Sequence, residues 1–134
     1  MPLVQIDLNS SRPPATRRAI ADGVHRALVQ AIGIPDGDRF QIITPHDSEE
    51  LVFDPSYLGV ARQDVVCVRI TLVQGRSQEL KLDLYRQIAE NLTAVGVRPE
   101  DVFVTLTENA LDDWSVGNGQ AQLIARGVLP APGS

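Results

Sequence analysis

A proline stands at position 2, directly after Met1 and directly before a segment that alternates apolar and polar residues. Methionine is normally trimmed when the next residue is small, and its removal would leave Pro2 with a free secondary amine. Such an amine is a base when neutral, an acid when protonated and a nucleophile toward a carbonyl carbon. An ordinary α-amine titrates near neutrality, so modest shifts choose among those roles. The plainer reading is that Met-Pro merely begins a strand. If Met1 is retained, Pro2 is an amide nitrogen and cannot act as an amine.

The remaining reactive side chains give less. His25 falls on a helix opposite some core positions and is expected to be solvated, and His46 follows Pro45 in a loop. Cys67, the one cysteine, sits inside an apolar strand and is expected as a small buried residue. It can form no internal disulfide, which suits a reducing, cytoplasmic compartment. These spacings provide no metal-ligand cluster. Arg12 follows the first strand and is either an anion contact or a surface residue. Gly117-Asn118-Gly119 lacks the lysine and spacing of a phosphate loop and reads as a flexible turn.

Stepping outward, the elements that must carry Pro2 follow from periodicity. Leu3 to Leu8 alternates as a half-buried strand does. Pro13 and Pro14 open a segment with Ile20, Val24, Leu28, Ala31 and Ile32 at helical spacing, stopped by Gly33. Arg39 to Thr44 reads as a second strand. The order then recurs. Asp64 to Leu72 is a strand, Ser77 caps a helix bearing Leu80, Leu84, Ile88 and Leu92, and Val102 to Thr107 is the last strand. Pro45 to Gln63 joins the halves as a hairpin or loop.

The halves also match residue by residue. At an offset of 63, Ala31-Ile32-Gly33-Ile34 meets Ala94-Val95-Gly96-Val97, Asp38 meets Asp101, Phe40 meets Phe103 and Thr44 meets Thr107. At 64, Val4, Ile6, Leu8 and Arg12 meet Val68, Ile70, Leu72 and Arg76. This is an internal duplication, with units of about 2–62 and 63–119 and a C-terminal tail of 120–134 in a single domain. The fold class is α/β (α+β). Each right-handed β-α-β unit makes its strands parallel, giving a four-stranded sheet with two helices on one face. The other face still needs cover, which predicts self-association. The Gly127 to Ser134 stretch is expected to wrap a neighbouring subunit or to hang loose.

With 134 residues and 43% hydrophobic content the chain can furnish one core. A net charge of −5 argues against nucleic acid, which needs a clustered basic face. Arg17 and Arg18 read as a solvated helix face. No signal-peptide pattern opens the sequence and no apolar run approaches about 20 residues, so a soluble protein away from membranes is expected.

The opening Pro2-Leu3-Val4-Gln5-Ile6-Asp7-Leu8, with Arg12 after it, resembles that of tautomerase-superfamily proteins. The second half is similar to an entire short tautomerase subunit, from Gly75-Arg76-Ser77 through Thr107-Glu108-Asn109 to Trp114-Ser115-Val116-Gly117. Ile34-Pro35-Asp36-Gly37-Asp38-Arg39-Phe40-Gln41 and Asp113-Trp114-Ser115 resemble the malonate semialdehyde decarboxylase group within it. The resemblance implies a β-α-β fold, a homotrimer, and catalysis by the N-terminal proline without metal or organic cofactor. It places Asp38 at the group's aspartate position and Arg76 at its second arginine. The first arginine falls at Gln74, which donates hydrogen bonds but carries no charge.

Taken together, these residues suit a small oxo-acid substrate. A 3-oxo acid loses CO2 when its carbonyl accepts the electrons of the breaking C–C bond. Protonated Pro2 could stabilise the developing enolate, and neutral Pro2 could form an iminium. Arg76 would hold the carboxylate, and Asp38 would orient Pro2 or position a water for hydration. Trp114 and Val116 would form an apolar wall. Decarboxylation of malonate semialdehyde leads. The alternatives are keto–enol tautomerisation of a phenylpyruvate-type acid, favoured by Gln74, and a non-catalytic trimeric acid binder.

Overall fold

The computed structural model describes residues 1–126. They form β1 (Pro2–Asn9), α1 (Pro14–Ile32), β2 (Gln41–His46), β3 (Val66–Val73), α2 (Gln78–Thr93), β4 (Val102–Asn109) and the short α3 (Gln122–Arg126). Alternation decides the central strands. Pro2, Val4, Ile6 and Leu8 of β1 are buried, as are Val66, Val68, Ile70 and Leu72 of β3. Period two puts each set on one face of the sheet. Ile20, Val24, Leu28 and Ile32 of α1, with Leu84, Ile88 and Leu92 of α2, close the core over that face.

The sheet order is β2-β1-β3-β4. β1 runs parallel to β2, β3 runs parallel to β4, and the two units meet through antiparallel β1 and β3. Pro13 is extended at φ −62 and ψ 156 before Pro14 begins α1, as the residue ahead of a proline prefers. Gly33, at φ 68, donates its N–H to the Val29 carbonyl, and the Ile34 N–H reaches the Leu28 carbonyl, which closes the helix. The Ser77 side chain accepts from Leu80 N–H and caps α2. Where the helices cross, Gly23 makes room. A Cβ there would lie 3.3 Å from both Asn91 Cβ and Leu92 Cδ1.

Several expectations change in detail. β2 begins at Gln41 rather than Arg39, because a turn with Asp38 N–H on the Pro35 carbonyl occupies the preceding residues. It continues through Pro45 to His46, and proline is tolerated because β2 is an edge strand. No hairpin forms between the halves. The connection is a loop with a 3-10 turn at Tyr57–Gly59. Cys67 is half-buried and faces away from the helices, because the apolar run Val65-Val66-Cys67-Val68 masks the alternation. His25 is buried at 5% exposure rather than solvated. A third helix, α3, lies in the segment expected as tail, and Gly127 to Ser134 fall outside the described residues. Among the described residues no helix is long and apolar enough to cross a membrane.

The duplication carries an unequal polar detail. Asp101, 1% exposed, accepts from the Gln63 and Asp64 N–H groups at 2.7 and 3.1 Å, just ahead of β3. Losing this acceptor leaves two amides unmet, so Asp101→Ala is expected to lower the unfolding free energy by about 3 kcal/mol. Asp101→Asn, which keeps an acceptor oxygen, should cost less than half as much, both variants being read by urea titration.

Candidate active site

Pairing geometry brings one end of the sheet together. Pro2 sits opposite Leu72, and Leu72 opposite Glu108, so the start of β1 adjoins the ends of β3 and β4. Val4 N–H donates to the Phe40 carbonyl at 3.0 Å, which draws the loop before β2 alongside the chain terminus. Asp38 stands on that loop. Its Oδ2 lies 3.3 Å from the Met1 amine, and its side chain is 12% exposed. Its Oδ1 is buried without a hydrogen-bond partner among the described residues. With Met1 in place the ammonium belongs to Met1. Trimming would move the terminal amine to Pro2, one residue further in.

Two anchors hold the loop. His25 Nε2–H donates to the Asp36 carbonyl at 2.7 Å. The Arg39 guanidinium donates to Asp22 at 2.5 Å and to Gln41 Oε1 at 2.8 Å, and Gln41 in turn donates to the Ala21 carbonyl. The hydrogen bond from Arg39 holds the Asp22 carboxyl below its usual range, with Arg18 assisting.

Arg76 follows β3 and is 8% exposed. Its Nη1 donates to the Val73 carbonyl at 2.7 Å. Burial pulls the guanidinium below its usual pKa, while the Glu108 and Asp38 carboxylates oppose that pull. Arginine nevertheless stays charged at neutral pH. Glu108 itself binds Lys81 Nζ at 2.7 Å. A row of alternating charge therefore runs from the terminal amine through Asp38, Arg76 and Glu108 to Lys81.

The remaining candidates divide between the two ends of the sheet. Gln74 is exposed and its backbone N–H donates to the Asn109 carbonyl at 2.7 Å. Trp114 is half-buried, with Nε1–H donating to Asn109 Oδ1 at 2.7 Å. Val116 is 41% exposed, and its N–H donates to Gln122 Oε1 at 3.0 Å. Asn109 thus ties Gln74 and Trp114 to the Pro2 end. Arg12 lies beyond the other end of β1, where it donates to the Asp64 carbonyl at 2.8 Å and pairs with the Asp64 carboxylate at 3.2 Å. Within this chain Arg12 does not reach Pro2.

Sequence reasoning assigned no role to Glu108, Asn109 or His25. Glu108 could have been found by parity: Val102, Val104 and Leu106 share its face, so a carboxylate ends an apolar series. His25 gave no comparable signal, since its partner is a main-chain carbonyl. Among the described residues no group of three His, Cys, Asp or Glu side chains is placed to hold a metal ion. The arrangement offers an amine beside a carboxylate with a buried cation near it, which is suited to acid–base work on an anionic substrate.

The chain resembles known proteins in sequence and in fold. Models of the "Tautomerase enzyme" family match residues 2–61 and 38–117. A curated relative, the probable tautomerase YusQ of Bacillus subtilis (strain 168), is 41% identical over 92% of this chain and 99% of its own. The crystal structure of FG41 malonate semialdehyde decarboxylase inhibited by 3-bromopropiolate superposes with a TM-score of 0.90 at 43% identity. That match covers 94% of this chain and 97% of the other. A fused 4-OT symmetric trimer superposes at 0.77 with 25% identity, over 92% and 99% of the two chains.

The buried histidine gives a test independent of turnover. His25→Leu removes the donor to Asp36 and is expected to cost about 1–3 kcal/mol of stability. Amide exchange at Asp38 and Arg39 should accelerate more than exchange in β3.

Proposed function

The chain belongs to the tautomerase family, and from that premise we propose that it decarboxylates a small 3-oxo acid, malonate semialdehyde first among them, with Pro2 as its amine. It is an enzyme of the decarboxylase or tautomerase type. The carrying observation is the largely buried Asp38 carboxylate 3.3 Å from the terminal amine, with Arg76 buried within reach of its field. The likeness to FG41 malonate semialdehyde decarboxylase supports the choice of substrate.

In this reading Met1 is removed and Asp38 keeps the Pro2 amine protonated and aimed. Arg76 anchors the substrate carboxylate, and the Pro2 ammonium hydrogen-bonds the aldehyde oxygen. The C–C bond breaks, its electron pair flows into the carbonyl, and CO2 departs from the apolar side formed by Trp114 and Val116. The enolate left behind is stabilised by the ammonium and takes a proton at carbon to give acetaldehyde. No cofactor is required for this sequence. Asp38 could also hold a water for a secondary hydration of an unsaturated acid.

The active unit is proposed to be a homotrimer. Phe40, Ile42 and Phe103 lie on the sheet face without helices and are 52%, 49% and 47% exposed, leaving apolar area to cover. The fused 4-OT trimer supports this assembly. A second reading, keto–enol tautomerisation of a phenylpyruvate-type acid, is favoured by Gln74. Proton transfer by a neutral Pro2 needs fewer protein cations around the substrate carboxylate than decarboxylation does.

Intact mass should show loss of methionine, and NMR should show acetaldehyde from malonate semialdehyde. Pro2→Ala should remove at least about 99% of kcat/KM. Trimming without acetaldehyde would transfer the assignment to tautomerisation, read with phenylenolpyruvate. Retained Met1 without turnover would leave a trimeric acid binder. Gln74→Arg adds a second cation and should raise decarboxylase kcat/KM about tenfold while lowering any tautomerase activity.

A further inference from the structure

The row of charge at the Pro2 end runs past the groups assigned to the reaction, and its last two members take no part in it. Glu108 lies near the end of β4, on the face that Val102, Val104 and Leu106 turn toward the core. It pairs in register with Leu72, and the next pair, Val73 with Asn109, carries the carbonyl that accepts from Arg76 Nη1. Glu108 therefore stands one strand over and one residue back from the atom that fixes the Arg76 guanidinium. Lys81 arrives from the helix. The Ser77 side chain caps α2, and the Lys81 N–H closes its first turn on the Ser77 carbonyl at 3.2 Å. That turn begins directly after Arg76 and sets Lys81 Nζ 2.7 Å from Glu108 Oε1.

The two side chains are 27% and 30% exposed, so water screens neither charge completely. An ion pair in such a place adds little to stability. Its effect falls on its neighbour, because the Glu108 carboxylate supports the charge on Arg76 that burial opposes. Along the row, the amine, Arg76 and Lys81 are positive, while Asp38 and Glu108 are negative. One positive charge is left over, and one carboxylate balances it. A second carboxylate would meet Glu108, whose partner Lys81 it would have to displace. Gln74 supplies no charge for it. Glu79, in the first turn of α2, and Asp112 and Asp113, after β4, are exposed and only add to the repulsion.

We propose that the Lys81–Glu108 pair is a specificity-determining element that confines the site to acids with a single carboxylate, acting through Arg76 rather than by touching the reacting atoms. A like charge set against a competitor is how a site rejects what would otherwise fit. This selectivity rests on the reading of Arg76 as the carboxylate anchor, and not on decarboxylation.

Binding of unreactive acids tests it without turnover. Above neutrality propionate carries one charge and malonate two. Their dissociation constants are read at low ionic strength from the chemical shifts of the Gly75 and Arg76 amides. The parent should bind propionate more tightly than malonate. Glu108→Gln removes the repulsion and should tighten propionate about threefold and malonate about tenfold. Lys81→Gln leaves Glu108 unopposed and should weaken the two acids by about the same factors. The double variant restores the charge and should lie within about twofold of the parent for both acids. In about 0.5 M NaCl these differences should shrink by more than half.

A pair that served structure alone would weaken binding in both single variants, and that result overturns the proposal. So does a parent that prefers malonate, or a Glu108→Gln variant that leaves the preference for propionate unchanged. Binding of neither acid to the parent overturns it together with the role of Arg76. The expected pattern in a protein that releases no acetaldehyde supports the proposal and removes only the decarboxylation.

Discussion

The antiparallel seam between β1 and β3 is the constraint on which everything else depends. Each is a central strand, hydrogen-bonded on both edges and buried on its helix-facing side. Joining two parallel β-α-β units through that seam sends the start of each unit to the opposite end of the sheet. Pro2 meets Leu72 at one end, while Asp7 meets Cys67 toward the other. The molecule therefore has two similar ends, and what differs between them is chain continuity. One end holds a terminus, and the other holds the residues that connect the units.

That difference decides how the paired aspartates are used. Removing a carboxylate from water costs free energy that close countercharges or hydrogen-bond donors must offset. At the connected end Asp101 meets two fixed backbone donors, and the result is structural. At the terminal end Asp38 meets the terminal amine, with Arg76 nearby and its own Oδ1 unmatched. Equivalent positions thus produce a joint in one half and an incompletely satisfied site in the other.

Much of this architecture was legible in the sequence because it rests on period. Val4, Ile6 and Leu8 repeat at two, Leu84, Ile88 and Leu92 at four, and the offset of about 63 relates the halves. The grouping of Pro2, Asp38 and Arg76 at one sheet end was also accessible, through resemblance rather than spacing. What stayed hidden had no periodic signature. His25 is committed to a main-chain carbonyl, and no residue type announces that. Cys67 looked like core because its neighbours on both sides are valines, although its side chain points to the other face. Arg12 read as either an anion contact or a surface residue, because all the sequence shows of it is its place after the first strand. Its ion pair with Asp64 depends on the loop between the units, whose course the sequence did not reveal.

The asymmetry also bears on stability. A satisfied buried polar group strengthens a fold, whereas a reactive site must keep polar groups partly unmatched until substrate arrives. In a duplicated chain the two demands need not compete at one position. At the connected end Asp101 accepts from two backbone amides and Arg12 pairs with Asp64. The terminal end can then hold a carboxylate with an unpartnered oxygen on a loop that His25 and Arg39 fix from behind.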